Sequence, residues 1–361
     1  MKNDNSINIK IRQIRIINYK GIDELTLDFP RPRMLGDPDV VVMGSRNGLG
    51  KTSVLECCAL LLIGLHSRTP TFDLSRYKFM PIDIADMMIR AGNSITQING
   101  DIDLGSKMVT IEITINKSGK ATITGKPKFD AVKKMLKDDR TNVIDEFLTT
   151  VGGMSPNPLI SDSFLYFHSY RKVQEGNPEL GMMLETDNFR RRTLYTQRVQ
   201  LPISTFKLRI LRSMMSRADL FEEVSDEDSD GILEKLNSLV DRYANGTIQK
   251  LRPAEDNTID FRIQPTSGGP SFTFDGLSSG QKEIIATLFL IWYQTMNRSN
   301  IILIDEPELH LNAEWHRDFV KQLTKIAPNN QYIIATHSEE VFASVDKNHR
   351  FILKDSSGEK S

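Results

Sequence analysis

Lys51 and Thr52 end a glycine-rich run, Ser45-Arg-Asn-Gly-Leu-Gly-Lys51-Thr52, whose residue types suit the phosphates of a nucleotide. Gly48 and Gly50 let backbone N–H groups turn inward around phosphate oxygens without a side-chain clash. A helix beginning at the lysine adds the partial positive charge of its N-terminus. In that geometry Lys51 neutralises the β- and γ-phosphates and Thr52 offers its hydroxyl to Mg²⁺. Ser45, Arg46, Asn47, Leu49 and Ser53 make up the rest of the expected nucleotide contact. Ser45 stands where the usual pattern has its first glycine, with Gly44 one residue earlier. A second segment, Ile301-Ile-Leu-Ile-Asp305-Glu306-Pro-Glu308, ends an apolar run in carboxylates. Asp305 is expected to hold the metal, and Glu306 to polarise an attacking water. A third, Ala335-Thr-His337-Ser338, delivers a histidine at an offset from Glu306 that suits a sensor of the γ-phosphate. A fourth, Leu277-Ser-Ser-Gly-Gln281, reads on its own as a polar cap before an apolar helix.

The elements that must position these groups are legible as hydrophobic patterns. Val40 to Met43 is a continuous apolar run, as expected of a strand buried on both faces, and it leads through the glycine loop into a helical run from Val54 to Leu65. Ile301 to Ile304 and Tyr332 to Ala335 read as two more buried strands, each delivering a polar residue at its end. Ile7, Ile9 and Ile11 alternate, Ile14 and Ile16 follow, and Leu25, Leu27 and Phe29 alternate again beyond Asn18-Tyr-Lys-Gly21, which predicts two strands with a turn between. Val109 to Ile115 is a further alternating strand, and Ile259 to Ile263 with Phe272 and Phe274 predict strands leading to Leu277 and the helix Gln281 to Met296. Phe164 to Phe167 predicts a further apolar strand. In the middle, Phe129 to Val151 and Leu201 to Tyr243 read as helices, the latter broken by Pro202 and by the acidic run from Ser225 to Asp230, itself read as a solvated loop. Apolar heptads are not sustained, which disfavours a long coiled coil. The expected fold is α/β, with an N-terminal lobe over 1–125, a mostly helical insertion or lid over 126–257, and a C-terminal lobe over 258–361.

Composition narrows the class. The chain has 361 residues, 39% hydrophobic and 26% charged, with a formal net charge of −1. A near-neutral chain restricts nucleic-acid binding to a local patch. Arg190-Arg-Arg192 with Arg198, Lys207, Arg209 and Arg212 could be such a patch, or a solvated face or partner surface. Cys57 and Cys58 are adjacent in an apolar run and read as reduced core residues. The N-terminus has no apolar signal region, and Leu60 to Leu65 with its flanks is too short to span a bilayer, so a cytoplasmic protein without membrane contact is expected. His310 and His316 lack metal-ligand spacing and read as structural.

Taken in order, the four segments resemble those of the ABC-type ATPase superfamily, in its soluble branch with RecF, SMC and OLD-like proteins. Ile14-Arg-Ile-Ile-Asn-Tyr-Lys-Gly21 looks like the opening of RecF and SMC heads, and Asp305-Glu-Pro-Glu-Leu-His-Leu311 like the acidic strand of OLD-like ATPases. The resemblance spans roughly 7–65 and 272–354. It implies an ABC-type P-loop ATPase head of mixed sheet and flanking helices with the helical lid inserted, and an Mg²⁺-dependent ATP hydrolase that forms a homodimer or higher oligomer around ATP. Ser278 and the Gly280 N–H, with Ser279 and Gln281 beside them, would then cap the γ-phosphate held by Lys51 of the other protomer. The third signature position is usually glycine and here is Ser279. The family's glutamine at the metal is expected at Gln174, with Arg171 as an alternative phosphate or water contact. OLD-like proteins often carry a nuclease domain after the ATPase, and with about two dozen residues after His337 none is expected here. The chain is therefore similar to the stand-alone ATPase subunits of anti-phage systems such as Septu or PARIS, which implies sensing or gating of a separate nuclease or toxin. The alternatives are a RecF-like DNA-repair ATPase and a scaffold that uses ATP only to assemble; the presence of Glu306 argues against the latter.

Overall fold

The computed structural model describes residues 8–34, 36–44, 48–67, 69–76, 83–105, 107–125, 143–176, 206–207, 210–211, 226–248, 252–253, 259–296, 298–309 and 311–353. The chain divides into two compact units, Met1–Arg171 with Thr295–Ser361, and Lys172–Gln294.

The first unit opens with a hairpin of β1 (Lys10–Tyr19) and β2 (Ile22–Asp28), where alternating apolar residues bury one face. The buried run β3 (Asp39–Gly44) leads to helix α1 (Lys51–His66). Strands β4 (Thr71–Asp73), β5 (Ile95–Asp103), β6 (Met108–Asn116) and β7 (Lys120–Thr124) follow. They join the hairpin in an antiparallel sheet of order β2-β1-β5-β6-β7-β4. Next come β8 (Leu159–Ile160) and β9 (Phe164–Phe167). The last strands of the unit are β10 (Ile301–Asp305), β11 (Gln331–Thr336) and β12 (Arg350–Ile352). In the second sheet, β3 lies between β12 and β11, β10 pairs with β11 and β9, and only β8 runs antiparallel.

Helix α1 is buried on every side along nearly its whole length, so it has no polar stripe. It packs against β1, β5 and β6 of one sheet and β9, β10 and β11 of the other. Inward residues such as Ile98, Ile111, Ile113 and Ile115 meet it from the antiparallel side, and Ile301, Leu303 and Ile333 belong to the same core. Cys57 and Cys58 are free and wholly buried there, and burial pushes both thiols up. The other face of the parallel sheet is covered as well: the Tyr332 hydroxyl donates to the carbonyls of Leu323 and Ala327, at the end of the helix Ala313–Ile326. Double burial is why β3, β10 and β11 read as unbroken apolar runs.

The second unit holds the helices Asp226–Ala244 and Ser279–Thr295, with short strands Gly246–Ile248, Arg262–Pro265 and Phe272–Thr273 pairing antiparallel. The acidic run is part of a helix rather than a loop: Asp226 to Asp230 begin Asp226–Ala244. The apolar spacing of Ile232, Leu236, Leu239, Val240 and Tyr243 carries the helix, and the acids lie on the same helical backbone, which a reading from charge alone overlooked. Lys207 is also not the solvent-facing base its charge suggested. It is 1% exposed, and its Nζ donates to Asp275 at 2.7 Å and to the Gly176 carbonyl at 3.0 Å. Ile7, residues 126–142, Arg190 to Arg192, Arg198, Arg209, Arg212 and His310 lie outside the described residues. Val143–Val151 is helical as the pattern predicts. Among the described residues, no helix is long and apolar enough to cross a membrane.

Candidate functional site

Parallel register brings the chemistry to one edge. Ala335 pairs with Met43 and Thr336 with Gly44 across β3–β11, while Asp305 pairs with Ala335 across β10–β11. The glycine loop, Glu306 and His337 therefore leave the sheet at the same end, where open parallel sheets bind ligands. Gly48 and Gly50 take φ of 83° and 86°, a left-handed turn that glycine adopts freely. A β-carbon on Gly50 would also stand 2.7 Å from Ile22 Cγ1, so the start of β2 packs directly on the loop. Ser45, Arg46 and Asn47 lie outside the described residues.

A cavity of roughly 350 Å³ opens here, lined by Gly21, Gly48 through Ser53, Glu306 and His337. Lys51 Nζ stands 3.4 Å from His337 Nδ1, and His337 Nε2 stands 3.2 Å from Glu306 Oε1. The neutral tautomer with its proton on Nε2 satisfies both contacts, accepting from the ammonium and donating to the carboxylate. Burial lowers the Lys51 pKa, while Glu306, Asp305 and Glu308 oppose that shift.

Below them, Thr52 Oγ1 donates to Asp305 Oδ2 at 2.9 Å. Asp305 is 1% exposed, and among the described residues its Oδ1 has no hydrogen-bond partner. Burial pushes its carboxyl up to about 7; the Thr52 hydroxyl pulls the other way, and Glu306 and Glu56 add to the rise. An uncompensated buried carboxylate oxygen beside a hydroxyl is the donor set a small divalent cation takes. Arg171 is 4% exposed, and its Nη1 donates to the Asp305 carbonyl at 2.7 Å and the His168 carbonyl at 2.8 Å. That bond braces the end of β10 from behind.

Two features carried no assignment from sequence. Glu308 accepts hydrogen bonds from Thr336, His337 and Ser338, and its place in the acidic segment was the only signal it gave. Glu56, one helical turn beyond the loop, is 3% exposed and accepts from the Tyr19 hydroxyl at 3.0 Å and Lys20 Nζ at 2.7 Å. This fixes the turn that carries Gly21 to the cavity. His316, read as structural, lies 3.2 Å from Ser338 Oγ through Nδ1 and 3.3 Å from the Leu311 carbonyl through Nε2.

In the second unit, Ser278 caps the helix Ser279–Thr295: Ser278 N–H donates to Gln281 Oε1 at 3.0 Å, and Gln281 N–H to Ser278 Oγ at 3.3 Å. Gln174 belongs to the same unit, just before a segment held by Glu175 to Lys282 at 2.7 Å and by the Gly176 N–H to Asp275 at 2.9 Å.

The family described as "AAA domain, putative AbiEii toxin, Type IV TA system" matches residues 46–343. The "Retron Ec83 probable ATPase" of Escherichia coli is 21% identical, aligned over 96% of this chain and 72% of that protein. The "Retron Vc95 probable ATPase" of Vibrio cholerae serotype O1 biovar El Tor is also 21% identical, over 94% and 73%. Among solved structures, an SmcHead bound to the C-winged helix domain of ScpA superposes with a TM-score of 0.55 at 13% identity, covering 93% of this chain and 92% of that one. An Smc head with an extended coiled coil, bound to the C-terminal domain of ScpA from Pyrococcus furiosus, gives 0.52 at 12% identity, covering 94% and 92%. At these identities the likeness concerns the fold, which is that of an SMC-type ATPase head.

Proposed function

Because the chain belongs to the family described as "AAA domain, putative AbiEii toxin, Type IV TA system", we propose that it is an Mg²⁺-dependent ATPase of the ABC–SMC head type that gates a separate effector in anti-phage defence. The observation that carries the ATPase reading is the convergence of Lys51, Thr52, Glu306 and His337 around one cavity, with the orphaned Asp305 oxygen beneath it. Lys51 and the loop N–H groups hold the β- and γ-phosphates. Thr52 and Asp305 would hold Mg²⁺, which when bound would neutralise phosphate charge. Glu306 orients and deprotonates the attacking water, and His337, bonded to it, reads the γ-phosphate. Two protomers close around ATP, with Ser278 and Gly280 of one capping the nucleotide of the other. The defence role is supported by the two retron probable ATPases similar to this chain along most of its length.

Calorimetry with Mg²⁺–ATP and a phosphate-release assay on the purified chain test the ATPase reading, which expects both binding and turnover. Pull-down of neighbouring gene products with and without ATP tests the gating. Capture that is indifferent to nucleotide would count against it.

A further inference from the structure

Glu308 sits two residues beyond Glu306, and the chemistry proposed above does not use it. Its carboxylate is wholly engaged with the end of β11. Oε1 accepts from the N–H of His337 and, at 3.1 Å, from the N–H of Ser338; Oε2 accepts from the Thr336 hydroxyl at 2.8 Å. Thr336 Oγ1 in turn accepts from the Ser338 N–H at 3.0 Å. Glu306 meanwhile contacts the ring of the same histidine at 3.2 Å. The segment Glu306-Pro307-Glu308 thus grips His337 twice, by its ring and by its backbone.

The backbone of this segment needs such a hold. Glu306 has a φ of 45°, in the left-handed region that a non-glycine residue keeps only when its surroundings over-determine it. Those surroundings are the Glu306 N–H, which donates to the Ala335 carbonyl at 2.8 Å, and the three bonds of Glu308. Hydrogen bonds to an ionised carboxylate are stronger than neutral ones. Pro307 stiffens the link between the two acids, because its ring fixes φ. We infer that Glu308 is a positioning residue for ATP hydrolysis, fixing His337 and the strained Glu306 backbone in one geometry without itself touching the nucleotide. The inference rests on the ATPase reading.

The test compares the full chain with Glu308→Ala and Glu308→Gln, measuring kcat, KM and the affinity for a fluorescent ATP analogue. A misplacement near 1 Å can lower a rate on the order of 100-fold, so Glu308→Ala is expected to lose roughly 10- to 100-fold in kcat while nucleotide affinity stays within a few-fold. Glu308→Gln keeps the oxygen that receives the His337 and Ser338 N–H groups, and the Thr336 hydroxyl can turn to accept from the amide, so this variant is expected to recover most of the lost rate. If Glu308→Ala does not fold, Thr336→Val removes the bond to Oε2 and the one the hydroxyl accepts from the Ser338 N–H, leaving both N–H bonds to Glu308 Oε1 in place; a reduced kcat at unchanged affinity then supports the role, and an unchanged kcat overturns it. Full turnover in Glu308→Ala, equal loss of affinity and kcat, or a Gln variant as impaired as the Ala variant would each overturn the inference while the wild-type chain still hydrolyses ATP. A wild-type chain that neither binds nor hydrolyses ATP overturns the ATPase reading, and this inference with it.

Discussion

At the scale of single residues, the site is a short relay: Lys51 to His337 at 3.4 Å, and His337 to Glu306 at 3.2 Å. Each member has a distinguishable failure. Lys51→Ala removes the cation proposed to face the β- and γ-phosphates, and titration calorimetry is expected to show ATP binding lost or nearly so. Tight binding by that variant would sink the assignment of the loop. Glu306→Gln keeps an acceptor for the His337 Nε2–H and nearly the same volume, yet the amide cannot take a proton. General-base assistance is typically worth ~10²–10⁴-fold, so single-turnover kinetics are expected to show hydrolysis slowed at least ~100-fold with ATP and Mg²⁺ binding intact. Wild-type rates would instead show that another residue activates the water, with His337 the first to examine. None of these proposed roles needed the structure to be named, because each residue stands at a fixed offset in a short segment. The structure adds what a linear pattern does not contain: partners distant in the chain. Glu308 was visible as an acid, but the three groups it holds lie 28 to 30 residues away. Arg171 showed its charge in the sequence, but not that its guanidinium donates to the Asp305 carbonyl 134 residues on.

At the scale of elements, the site depends on how closely the parallel strands and their neighbours approach. Gly44, the last residue of β3, lies under the ring of Phe342, and a β-carbon there would come within 2.7 Å of it. Overpacking of this kind costs about 1–3 kcal/mol. Gly44→Ala is therefore expected to lower the thermal midpoint, and adding Phe342→Leu, whose side chain is smaller, to restore part of it. Equal midpoints for wild type and Gly44→Ala would show that the ring moves away freely. The strands themselves were legible for a physical reason: double burial demands apolar residues on both faces, so β3, β10 and β11 read as continuous runs. The N-terminal hairpin and β6 were equally plain, since one buried face imposes strict alternation. Charge misled where packing decided. The acidic run begins a helix, and Lys207 is drawn inside by Asp275. Formal charge does not say whether a residue continues a helix or finds a buried partner.

At the scale of the whole molecule, the described lining of the cavity belongs to the first unit, and Leu277 to Gln281 belong to the second. The proposal that Ser278 completes a site on another protomer must therefore be separated from its role inside its own helix, where it forms a reciprocal cap with Gln281. Ser278→Arg would abolish both at once, because losing an N-cap alone costs about 1 kcal/mol. Ser278→Asp separates them. Aspartate is as good an N-cap as serine, so the helix and the thermal midpoint should be kept or slightly improved. The same carboxylate, if it faces a γ-phosphate across a dimer, replaces a donor with a like charge, which repels where the hydroxyl attracted. Ser278→Asp is therefore expected to bind ATP as a monomer with wild-type affinity, because Lys51 and the loop N–H groups are untouched. Light scattering with and without ATP should show that it no longer self-associates, and its turnover should fall with the lost association. Introducing Glu306→Gln, which should trap the closed dimer in the parent chain, should not rescue association. If Ser278→Asp melts like the wild type and still self-associates and hydrolyses ATP at the wild-type rate, the segment is a helix cap and nothing more. The composite site would then have to be abandoned.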